Sequence, residues 1–87
     1  MELGALRREI DKADEELARL FVRRMELSEQ IADVKKSVGL PVRDEAREEE
    51  KLRSIVRLLP AELRPYGVTL WETLFSLSRD YQSKTCP

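Results

Sequence analysis

Between Leu3 and Val38 the chain places one residue after another at alternating spacings of three and four: Leu3, Leu6, Ile10, Ala13, Leu17, Leu20, Arg24, Leu27, Ile31, Val34 and Val38. Ten of these eleven positions are apolar, and the exception is Arg24. No Pro interrupts the stretch, and its one interior Gly, Gly4, falls in the first turn. The pattern predicts a single amphipathic helix over about residues 2–38, with coiled-coil-like packing. Such a helix is ~55 Å long at ~1.5 Å per residue. A compact monomer of this size has a radius of gyration of only ~12 Å. The helix therefore outruns the globule that one chain can build, and its far half needs cover. A second copy is the simplest cover, so an obligate two-fold dimer is expected.

The remainder of the chain also reads as helix, with no strand pattern and no internal repeat. Lys35 and Lys36 suit a helix C-terminus, and Gly39 can supply a left-handed cap. Leu40 to Arg43 is a short extended link, because Pro41 pushes Leu40 out of helical conformation. Asp44 is a good N-cap for a second helix of about residues 45–59, with Leu52, Ile55, Val56 and Leu59 on its apolar face. Pro60 and Pro65 punctuate a link in which Ala61 to Arg64 can form one turn. A third helix is expected over about residues 68–83, burying Leu70, Trp71, Leu74, Phe75, Leu77, Ser78, Tyr81 and Gln82, with Lys84 to Pro87 frayed. The fold expected is all-α: one domain over residues 1–87, three helices per chain, one very long, in an intertwined antiparallel homodimeric bundle.

Composition removes whole classes of chemistry. There is no His, which excludes the usual zinc sites and His-assisted nucleophiles. Neither a metal nor a cofactor is expected. The net charge of −1 argues against general binding to nucleic acid or to a membrane surface. No signal-peptide pattern and no run of about 18 apolar residues is present. Cys86 stands alone in a polar tail, so no disulfide framework is expected, in keeping with a cytoplasmic location.

Polar residues interrupt the apolar faces at particular levels. Arg24 lies on the long seam, and Arg7, Ser28 and Lys35 flank it at heptad spacing. Glu48 continues the face of Leu52 and Ile55, with Arg47 beside it, and Ser78 and Gln82 continue the face of Trp71 and Leu74. Taken singly, the cations can be solvated flanking charges, Glu48 a first-turn carboxylate and Ser78 a small packing residue. An internal Arg24–Glu48 ion pair is a further alternative. Taken together, cations outnumber carboxylates in a helical core, and a small dianion would balance them. Arg suits carboxylates because its planar fork binds them bidentately. Arg7 and Lys35 are 28 residues apart. That is ~42 Å along one helix, too far to hold one small ligand. In an antiparallel dimer centred near residues 17 to 20, Arg7 of one chain lies beside Arg24 and Lys35 of the other. Two equivalent sites, each built from both chains, are expected.

The stretches Leu6-Arg7-Arg8-Glu9-Ile10-Asp11, Arg23-Arg24-Met25-Glu26-Leu27, Lys35, Leu40-Pro41-Val42-Arg43-Asp44-Glu45-Ala46-Arg47-Glu48 and Ser78-Arg79-Asp80-Tyr81-Gln82 resemble, in that order, the all-helical chorismate mutases. The link from Pro60 to Gly67 departs from the pattern. The resemblance implies the rearrangement of chorismate to prephenate in aromatic amino-acid biosynthesis, without cofactor. It implies that Arg7, reaching into the partner's site, and Arg24 bind substrate carboxylates. Lys35 is implied to contact the ether oxygen and a nearby carboxylate, and Gln82 to donate to the ether oxygen. Glu48 is implied to accept from the ring hydroxyl, Ser78 to lie near the ring carboxylate, and Asp44 and Arg47 to start a helix that closes over the substrate. Two alternatives stand beside this: an isochorismate-pyruvate lyase on the same scaffold, and a non-catalytic helical dimerisation or regulatory module. A mutase that also docks onto another shikimate-pathway enzyme is compatible with the sequence.

Overall fold

The computed structural model describes residues 2–85. The described residues form three α-helices and one 3₁₀ turn: α1 (Leu3–Val38), α2 (Glu45–Arg57), the turn Ala61–Leu63, and α3 (Arg64–Thr85). Among the described residues there is no strand. No helix is long and apolar enough to cross a membrane.

The first helix begins at a cap: Glu2 Oε1 accepts from the Ala5 N–H at 3.1 Å. It ends at Gly39, which has φ 74. The Leu40 N–H reaches the Lys35 carbonyl at 2.8 Å and the Gly39 N–H reaches that of Lys36 at 3.3 Å, a Schellman closure. The cap reverses the chain so that the Val42 carbonyl accepts from Lys35 Nζ at 2.8 Å. A side chain at Gly39 must take up a left-handed conformation, which costs ~1–2 kcal/mol. Gly39→Ala should therefore lower stability by about that amount, read as a Tm decrease of several degrees. An unchanged Tm would mean that this closure does not hold the link in place.

Asp44 caps α2 as expected, its Oδ1 accepting from the Arg47 N–H at 3.0 Å. The helix is shorter than the expected 45–59, stopping at Arg57. Leu58 and Leu59 instead make tight turn bonds to the carbonyls of Ile55 and Val56. Pro60 is the reason, since the residue before a proline is driven out of helical conformation. The third helix starts at Arg64 rather than near Val68, so Pro65 is inside it. In a first turn the missing N–H of Pro has no helical partner to lose, and its fixed φ suits the helix. Gly67 is buried there, and a Cβ on it would collide with Leu59. The glycine thus permits the end of α2 to lie against α3. The expectation that Lys84 onward frays is corrected as far as Thr85, which is helical; Cys86 and Pro87 lie outside the described residues.

The molecule is a rod, 54 × 26 × 15 Å, with a radius of gyration of 16.0 Å. Its long dimension is the length of α1. Both α1 and α2 pack on α3 and not on each other. Little apolar surface is enclosed. Ala32 and Phe75 are the buried hydrophobic side chains, and Ser28, Ser78 and Gln82 are buried beside them. Leu70 and Leu77, expected on the buried face of α3, are exposed in the single chain. All ten apolar seam positions of α1 are exposed too, Leu3 and Val38 each by 62%. The one seam position that the chain partly covers by itself is the charged one, Arg24.

Candidate active site

Because α1 and α2 both lie on α3 without touching, a cleft of about 280 Å³ opens between them, floored by α3. Helical periodicity decides what faces it. Residues 24, 28, 31 and 35 recur at spacings that keep them on one side of α1, and Arg24, Ser28, Ile31 and Lys35 line the cleft. Phe75, Arg79 and Gln82 rise from α3 by the same rule. The capped N-terminus of α2 closes the far wall with Asp44, Arg47, Glu48 and Lys51.

Arg24 Nη1 donates to Ser78 Oγ at 2.6 Å, and the guanidinium carbon lies 5.8 Å from the centre of the Phe75 ring. Burial pulls the Arg24 pKa below its ordinary value, but a guanidinium stays charged. Lys35 spends one hydrogen on the Val42 carbonyl. Gln82 is 6% exposed, and its Nε2 donates to the Ser28 carbonyl at 2.8 Å. An amide nitrogen and an ammonium each keep further hydrogens to donate.

The two carboxylates of the cleft have partners. Asp44 caps its helix. Glu48 is held by Arg79, whose Nη1 lies 2.6 Å from both of its oxygens. Arg47 pairs with Glu50 at 3.3 Å. That leaves three cleft cations without a carboxylate: Lys51, and Arg24 and Lys35, which face neutral oxygens, a hydroxyl and a carbonyl. None of the three takes part in an ion pair among the described residues. The internal alternative of an Arg24–Glu48 pair is not what forms, since Glu48 bonds Arg79.

Of the residues singled out from the sequence, Arg24, Lys35, Asp44, Arg47, Glu48 and Gln82 line this one cleft. Ser78 joins it through Arg24. Arg7 does not: it stands exposed near the start of α1, at the other end of the rod. Arg79 was missed as a site residue, although it sits between Ser78 and Gln82. Its signal was the excess of cations over carboxylates, combined with its place one turn beyond Phe75 on the same helix face.

A curated relative, the bifunctional chorismate mutase/prephenate dehydratase of Aquifex aeolicus (strain VF5), is 42% identical over 57 residues. The match covers 66% of this chain and 16% of that protein, so the chain spans only a small part of the relative's length. No solved structure gives a significant match. Residues 6–83 match the family described as chorismate mutase type II, and the chain belongs to that family.

Proposed function

We propose that the cleft converts chorismate to prephenate, and that two chains share each site. The observation that carries the reading is that two of the cleft's unneutralised cations, Arg24 and Lys35, are set in a partly covered cleft against neutral oxygens. Charges so placed are costly unless an anion joins them. Chorismate brings two carboxylates. Its rearrangement is unimolecular and pericyclic, so it needs no nucleophile, no metal and no obligatory proton transfer. What the protein must supply is a hold on the folded conformer and donors where charge develops as the ether bond breaks. Arg24 with Ser78 suits the ring carboxylate. Lys35 and Gln82 suit the ether oxygen, each with hydrogens left after its protein bond. Glu48 suits the ring hydroxyl as acceptor.

The second chain supplies what one lacks. The exposed seam of α1 needs an apolar cover along its length. An open apolar trough of about 510 Å³, lined by Leu17, Leu20, Phe21, Leu70, Trp71 and Leu74, lies at the level where the two-fold is expected. An antiparallel partner filling it brings its own Arg7 towards the Lys35 end of this cleft. The assay is loss of chorismate absorbance with identification of the product. Prephenate supports the reading. Release of pyruvate from isochorismate would favour the lyase, and no turnover of either would favour a non-catalytic module.

Gln82→Glu discriminates the donor at the ether oxygen. An ionised carboxylate there cannot donate and repels the developing charge, so kcat/KM near neutral pH should fall by about 10²-fold or more. The position is buried and faces the Ser28 carbonyl, and both conditions favour the protonated acid. A protonated acid regains a donor, so the pH–rate profile should rise towards acid. A profile of unchanged shape would place this side chain away from the reacting oxygen.

A further inference from the structure

We propose that Arg79 is a positioning residue, which fixes the Glu48 carboxylate so that its free lone pairs face the substrate's ring hydroxyl; this rests on the reading of the cleft as a chorismate site. Nη1 of Arg79 is equidistant from the two Glu48 oxygens, at 2.6 Å each. A donor astride both oxygens holds the carboxylate group by both of its atoms and fixes where the head of the side chain lies. The pair is sheltered, with side-chain exposures of 28% for Arg79 and 21% for Glu48. Arg79 issues from α3, the helix on which the other two pack.

The surroundings show why Glu48 needs an anchor. Behind it lies a second cavity of about 310 Å³, on the side of α2 away from Lys35. That cavity and the cleft share Glu48, Phe75 and Arg79, so the ion pair is part of the partition between them. Without Arg79 the Glu48 side chain has two spaces into which it can rotate. The rear cavity also carries Glu45, Glu49 and Glu72, together with Arg43, which pairs with Glu45 at 3.6 Å, so it offers an unpaired Glu48 charges of both signs and no single fixed position. Each carboxylate oxygen has more than one lone pair, so a bond to Arg79 leaves acceptors for a hydroxyl.

The test is steady-state kinetics on chorismate, with thermal melts, for Arg79→Leu, Arg79→Lys, Glu48→Gln and the R79L/E48Q double variant. The ring hydroxyl is not on the bond that breaks, so its hold is nearly equal in ground and transition states. Its loss should appear as a rise in KM of about tenfold for Arg79→Leu, with kcat within about twofold. Arg79→Lys keeps a cationic donor and should restore most of KM. In the Glu48→Gln background, Arg79→Leu should change kcat/KM no further, because the group it positions is gone. Losses that multiply across the double variant, or a lowered Tm with KM unchanged, would overturn the inference and leave Arg79 a structural bridge. A wild-type protein that does not turn over chorismate would overturn the functional reading and this inference with it; turnover with multiplying losses overturns the inference alone.

Discussion

Arg24→Ala is expected to lower kcat/KM by about 10²–10³-fold, the usual effect of removing one preorganised donor aimed at an anion, while leaving the protein folded. The two halves of this expectation have separate grounds. For activity, Arg24 is a cleft cation with no carboxylate partner, and its donors exceed the single bond it makes to Ser78. For stability, what the substitution strands is a buried serine hydroxyl, and leaving a neutral group of that kind unsatisfied costs ~1–3 kcal/mol. If Arg24 instead neutralised Glu48, its removal would leave a sheltered carboxylate unpaired and cost ~3–5 kcal/mol. Glu48 has its own guanidinium in Arg79, at 2.6 Å. Kinetics and a thermal melt on the same variant separate the cases. A Tm lowered by a few degrees with near-total loss of turnover is the result expected. A collapse in Tm with unchanged turnover per folded molecule would make Arg24 a structural residue.

The long helix was legible because it depends on local information: a period, the absence of Pro, and Gly39 at its end. The capped start of α2 at Asp44 was legible for the same reason. Two of the boundaries that moved lie next to prolines. Pro60 cut α2 back to Arg57, and Pro65 entered α3 instead of preceding it. A proline says that a helix is interrupted or begun, and only packing decides which. Here Leu59 lies against Gly67, in space that a Cβ would occupy.

The site was legible to a different degree. Polar residues at seam spacing marked Arg24, Ser28, Lys35, Glu48, Ser78 and Gln82 as one level of the bundle, and these residues meet around one cleft. Which cation would pair with which carboxylate was not legible. Arg24 and Arg79 stand on different helices at similar depth, and the choice between them for Glu48 depends on how α2 leans on α3. The exposure of Leu70 and Leu77 has the same origin: a face read as buried from its periodicity need not be covered by its own chain.

The central claim is that each site is built from two chains, with Arg7 from one and Lys35 from the other. Mixed dimers test it directly. Arg7→Ala and Lys35→Ala homodimers should both be nearly inactive, because each lacks a cation in both of its sites. When the two are unfolded together and refolded, random pairing makes about half of the dimers mixed. One site of a mixed dimer then takes Lys35 from the Arg7→Ala chain and Arg7 from the Lys35→Ala chain, and is complete; its other site lacks both. About a quarter of wild-type activity should return. If both parents are inactive, mixed dimers are shown to form, and no activity returns, Arg7 and Lys35 do not meet across an interface and the shared site is contradicted.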